Sequence, residues 1–166
     1  EAIHFYREAL SLLGQLPSGE AMDRRELQLQ LALGTAAVVA RSYAAPEVQA
    51  AYARATELCN RVGDHAQLFR ALRGLWQYRQ GQGEMQEAAR IGQQLIELAR
   101  TSGESALLLE ANRLLGNNAY WTGDFIAARR YMEEAVALFD PAAHAELVAQ
   151  FGQDPDVANR GILGWA

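Results

Sequence analysis

The stretch "LLGNNAYWTGDFIAARRYMEEAVALF", Leu114 to Phe139, reads as two helices joined by Thr122-Gly123-Asp124. Ala111, Leu115 and Ala119 make an apolar stripe at helical spacing before the break, and Ala128, Tyr131, Ala135 and Leu138 make another after it. Glycine marks the turn because positive φ costs it little. The small Ala128 and Ala135 let neighbouring helices approach closely.

The hairpin is written more than once. On a shift of 40 residues Ala55, Leu95 and Ala135 coincide, as do Leu58, Leu98 and Leu138. Arg73 falls on Arg113, Leu75 on Leu115, Gly83-Glu84 on Gly123-Asp124, Ala88 on Ala128, and Gly63-Asp64 on Gly103-Glu104. A fixed period in the range of about 20–50 residues predicts a solenoid of helical hairpins. Asp64 and Glu104 are expected at helix starts, where a carboxylate accepts from free N–H groups and meets the positive dipole end. Asp23 with Glu26 resembles a capping box, and Pro46 suits a first turn. "AIHFYREALSLL" repeats the second-helix pattern through Ala2, Tyr6, Ala9 and Leu12 and is broken by Pro17-Ser18-Gly19. The predicted layout is a lone second helix over 1–16, then helical pairs over 23–62, 64–101 and 104–140. A connector follows, and a further repeat begins over 154–166, where Asp154-Pro155-Asp156 is a helix-start signal.

Composition agrees with an all-α chain. Half of the 166 residues are hydrophobic, alanine and leucine dominate, and β-branched alternation is absent. The net charge of −5 argues against a general nucleic-acid binder. All 15 basic residues are arginine, which excludes Walker-type and Schiff-base lysine chemistry. A single cysteine, Cys59, excludes a disulfide framework within the chain and points to a reducing, cytoplasmic home. No apolar run approaches the ~18–20 residues of a membrane helix, and we read no signal peptide. The absence of an initiator Met before Glu1 leads us to expect a piece of a longer protein.

The residues "A-x-x-x-L-G-x-x-x-Y-x-x-G-D-F-x-x-A-x-x-x-x-x-x-A-x-x-L", Ala111 through Leu138, resemble the tetratricopeptide repeat (TPR). Leu115, Gly116, Gly123, Asp124, Phe125, Ala128, Ala135 and Leu138 sit at its signature spacings. The usual repeat is about 34 residues, so this one carries longer helices or turns. The middle unit departs from the pattern with Trp76 in the place of Gly116, and Pro141 comes one place late. "LQLALG", "SYAAPEV", "AYARATELC", "GDHAQLFRALRGLWQY", "LLLEANRLLG" and "FGQDPDV" resemble the C-terminal TPR region of large bacterial signalling proteins that carry an AAA/STAND-type ATPase, often behind a class III nucleotide cyclase domain. The resemblance spans nearly the whole chain and implies one right-handed, TPR-like α-solenoid of antiparallel helical hairpins over 1–166. It implies protein–protein recognition without cofactor, metal or catalysis in this segment.

It also implies a concave groove lined by the second, fifth, ninth and twelfth positions of each repeat. These fall on Arg70, Arg73, Gln77 and Gln80 in the middle unit and on Glu110, Arg113, Asn117 and Tyr120 in the last. Thr35 and Val38 are expected in the first. Arginine holds a carboxylate through two parallel hydrogen bonds, so an acidic protein or peptide is the expected partner. The competing reading is a solvated arginine face partly paired with Glu110. Trp76, Trp121 and Tyr120 are read first as packing residues, with Tyr120 the alternative hot spot. His4, His65 and His144 lack metal-ligand spacing, Cys59 reads as a helix-end packing residue, and Glu133-Glu134 as a solvated step. No nucleophile–base pair or phosphate loop is visible, so we expect no enzyme. A structural spacer or oligomerisation arm is the second functional reading.

Overall fold

The computed structural model describes residues 1–141 and 155–164, and these are all-helical, with no strand among them. The eight helices are α1 (Ala2–Leu13), α2 (Glu20–Ala40), α3 (Pro46–Val62), α4 (His65–Gly81), α5 (Met85–Ser102), α6 (Ser105–Trp121), α7 (Phe125–Leu138) and α8 (Pro155–Leu163). The chain divides into two compact units, Glu1–Glu84 and Met85–Ala166. In the first, α2 packs against α1 and α3, and α3 against α4. In the second, α6 packs against α5 and α7, and α8 lies against α7 and α6. The expected pair 64–101 thus contributes α4 to one unit and α5 to the other. The expected connector, His144 and Asp154 lie outside the described residues.

The turns follow from local chemistry. Gly63, Gly83, Gly103 and Gly123 stand at φ +71°, +77°, +73° and +81°, twenty residues apart. After Gly63, Gly83 and Gly123 the next N–H reaches back five residues: Asp64 to Cys59 O at 3.0 Å, Glu84 to Arg79 O at 2.9 Å, Asp124 to Ala119 O at 2.9 Å. This Schellman closure satisfies carbonyls that a helix end leaves open. Asp64 and Asp124 then cap the following helices, accepting from the N–H of Gln67 and of Ala127, each at 3.0 Å. Glu104 departs from expectation: its side chain makes no cap bond, and its N–H is held by Ser102 Oγ at 3.2 Å. The extra methylene of glutamate makes it the poorer cap.

Asp23 and Glu26 are also corrected. Helix α2 begins three residues earlier, at Glu20 with Gly19 as its N-cap, so Asp23 lies within the first turn and neither residue is the cap. They face α3 instead: Glu26 takes both Arg54 Nε at 2.6 Å and Nη2 at 3.0 Å, and Asp23 takes Arg61 Nη1 at 2.9 Å. The hydrogen bonds from Arg54 hold the Glu26 carboxyl below the usual carboxylate range, against the opposing effect of its burial. Pro46 does open α3, with Ala45 extended before it. In α1 the half-buried stripe is Ile3, Tyr6, Leu10 and Leu13, with Ala9 beside it, while Ala2 and Leu12 are exposed. The larger side chains of Ile3 and Leu13 offer more apolar area to α2 than the expected Ala2 face.

The first unit is built around one aromatic ring. Tyr52 of α3 lies between two glycines, Gly34 of α2 and Gly74 of α4. A Cβ added at Gly34 would fall 2.8 Å from Tyr52 Cζ, and one at Gly74 would fall 2.4 Å from Cδ2. Leu27, Leu31, Ala55, Leu58, Ala71 and Tyr78 complete the surrounding core. In the second unit Gly116 of α6 plays a similar part, since a Cβ there would meet Met132 Cε of α7 at 2.8 Å. Ala128 and Ala135 are fully buried beside it. No helix among the described residues is long and apolar enough to cross a membrane.

A rigid ring cannot yield as a methionine tip can, so Gly74→Ala should destabilise the chain by about 1–3 kcal/mol, despite alanine's better helix propensity. Gly81→Ala, whose Cβ would meet Ala44 at an ordinary 3.5 Å, should be neutral or raise stability by up to about 1 kcal/mol. Urea midpoints of the two variants check the contrast.

Candidate functional site

The eight residues expected in a groove fall into two sets, four on α4 and four on α6. On α4, Arg70 is exposed and donates from Nη1 to Gln67 Oε1 at 3.1 Å. Arg73, Gln77 and Gln80 are half-buried, and Arg73 Nη1 lies 3.4 Å from Gln77 Oε1. Arg70 also lines a cavity of about 620 Å³ within the first unit, shared with α1 and α2. Its walls are largely apolar: Ile3 and Tyr6 from α1, and Leu31, Ala32, Ala36 and Val39 from α2. Gln28, Thr35, Arg70 and Glu1 supply the polar groups. Of the two residues expected in the first unit's groove, Thr35 lies on the cavity wall and Val38 packs against the core.

The α6 set is different in kind. Glu110 is 1% exposed and Arg113 6% exposed. They form a bidentate pair one helical turn apart, Nε to Oε2 at 2.7 Å and Nη2 to Oε1 at 2.8 Å. These two side chains are buried and face each other, so they are neither an open clamp nor the solvated face that was the competing reading. Asn117 and Tyr120 are half-buried. The Tyr120 ring meets the edges of Trp121 and Phe125 at centroid distances of 5.7 and 5.8 Å. Trp76 is buried as a packing residue, but Trp121 is not: it stands 64% exposed.

The remaining chemistry-bearing groups are dispersed. Among the described residues no three His, Cys, Asp or Glu side chains gather as a metal-binding group. Cys59 is buried, and burial, with the charge of Asp64, pushes its thiol up to about 11. No protein-family model matches the chain, and no curated protein matches its sequence.

The sequence reading missed the cavity beside α1. Its signal was present in α2, whose apolar residues run around the helix in two stripes. One stripe, with Leu27, Leu31 and Ala37, enters the core. The other, with Ala32, Ala36 and Val39, lines the cavity.

Two outcomes test this description. Glu110→Ala leaves Arg113 buried without its carboxylate and should cost about 3–5 kcal/mol, whereas Glu110→Leu with Arg113→Met should cost much less. Chemical denaturation of the three chains distinguishes them. The Cys59 thiol should resist an aromatic disulfide reagent at neutral pH in the folded chain and react on unfolding, because little of it is thiolate and water does not reach it.

Proposed function

We propose that this chain is a TPR-like α-solenoid with a 40-residue period that recognises a protein or peptide partner. The observation that carries the reading is the cavity lined by Thr35 and Arg70, the first a residue expected to face a ligand from α2 and the second a residue that the repeat register assigns to the ligand-facing side of α4. An apolar floor with a few polar groups at its edge suits a peptide side chain. Arg70 has a glutamine and no carboxylate among its bonds in the described residues, which suits an acidic partner. The recurrence of positive-φ glycines every twenty residues supports the solenoid. By resemblance, the domain serves a regulatory role in a cytoplasmic bacterial signalling protein, and partner binding biases an ATPase or nucleotide cyclase domain elsewhere in that protein.

A spacer or oligomerisation arm is the second reading. It is favoured by the exposed Phe5 and Leu12 of α1, apolar side chains that a neighbouring segment could cover.

The test is binding of acidic and neutral peptide libraries at two salt concentrations. Arg70→Ala is the informative variant, since Arg113→Ala would break a buried pair. Acidic peptides should bind in a salt-sensitive way and lose about tenfold in affinity with Arg70→Ala, the worth of one charge-assisted hydrogen bond. Absence of binding, or binding indifferent to Arg70→Ala and Thr35→Val, moves the assignment to the arm.

A further inference from the structure

The α6–α7 turn and the α4–α5 turn are the same backbone object. In each, three N–H groups close on equivalent carbonyls: Gln82 and Thr122 on Tyr78 and Asn118, Gly83 and Gly123 on Gln80 and Tyr120, Glu84 and Asp124 on Arg79 and Ala119. Their surfaces differ. Where the first turn carries Gly81, Met85 and Gln86, the second carries Trp121, Phe125 and Ile126. The last three are 64%, 49% and 87% exposed. The first turn closes without these side chains, so folding of the turn does not account for them.

The charge beside them differs in the same direction. Arg90, on the second turn of α5, is held by Glu87 at 3.0 Å through Nε and 2.7 Å through Nη2. Its counterpart Arg130 has Ala127 in the place of Glu87. Arg130 lies over the Tyr131 ring at 4.7 Å and has no carboxylate partner among the described residues. Of the other charges nearby, Asp124 caps Ala127 and Arg129 pairs with Glu133 at 2.9 Å, while Glu134, one turn beyond Arg130, forms no ion pair with it among the described residues. The tip therefore offers exposed apolar side chains, Trp121 and Phe125 among them held edge-on by Tyr120, and, one helical turn from Ile126, an arginine whose guanidinium stacks on a ring and forms no ion pair among the described residues. Aromatic side chains with an adjoining arginine are the residue types that dominate binding energy at interfaces.

We propose that Trp121, Phe125, Ile126 and Arg130 form a docking surface for an acidic peptide segment of a partner protein, one that inserts a bulky apolar side chain between carboxylates. This surface is separate from the cavity that Thr35 and Arg70 line.

The experiment uses the whole chain and a library of short peptides with a fixed Phe-Leu core and randomised Asp/Glu flanks. Companion libraries replace the flanks with arginine or the core with Ala-Ala. The decisive variant grafts the other tip, Trp121→Gly with Phe125→Met and Ile126→Gln, substitutions that an identical turn already accommodates. Retained helicity by circular dichroism confirms its fold. Acidic peptides with the apolar core should bind best, and the graft should weaken them at least about tenfold. Arg130→Gln should weaken them several-fold and flatten the salt dependence, while Arg70→Ala should leave them unchanged. No selection of acidic-apolar peptides, or affinity unaffected by the graft, overturns the proposal. Concentration-dependent dimerisation abolished by the graft also overturns it, because the occupant would then be a second copy of the chain.

Discussion

Left-handed glycines twenty residues apart, at Gly63, Gly83, Gly103 and Gly123, set the length of α4, α5 and α6. At φ near +75° the backbone leaves the α region, and only glycine does so without a clash between its own Cβ and the neighbouring carbonyl. What lies between two such points is one helix of 17 or 18 residues, as in α4, α5 and α6. Within the second unit α5 and α6, nearly equal in length, pack against each other. Schellman bonds after Gly63, Gly83 and Gly123, and aspartate caps at Asp64 and Asp124, then satisfy carbonyls and N–H groups that those interruptions would otherwise leave open. Remove the constraint and the apolar stripes would have no defined ends against which to register.

That constraint is visible in the residues, and so most of the fold was legible. Gly63-Asp64 and Gly123-Asp124 announce both the stop and the next start, and the turns form where they are written. The misreadings lie where a residue type serves two purposes. Asp23 with Glu26 has the spacing of a cap but serves as the acidic side of ion pairs to Arg61 and Arg54, because α2 begins a turn earlier than its first strong signal. Glu104 stands where aspartate would cap, yet its longer side chain does not.

The candidate site was less legible, for a reason that Arg113 makes plain. Register places a side chain on a face, but it does not say whether that face meets water or protein. Glu110 and Arg113 stand where the resemblance leads one to expect ligand-facing side chains and are nonetheless removed from solvent in a bidentate pair. Arg70, at the same register in α4, is exposed and borders a cavity. Trp121 was misread in the opposite sense, since size and apolarity argue for the core unless neighbouring residues are known to leave it outside. In both cases the missing information is long-range packing, which no local pattern encodes.

The ring of Tyr52, pressed between the backbones of two helices, has one more property. A phenol ring turns about its Cβ–Cγ bond only if the space beside it opens, and here the main chain at two glycines lies against it, where no side chain can swing aside. Half-turns of the ring must wait for α2 and α4 to move apart. The two edges of Tyr52 should therefore give separate nuclear resonances, and their rate of exchange would clock the breathing of the first unit. The phenol oxygen lies 3.4 Å from the hydroxyl of Thr35, on the cavity wall. That clock reaches the cavity's edge, and anything lodged beside Thr35 would alter its rate.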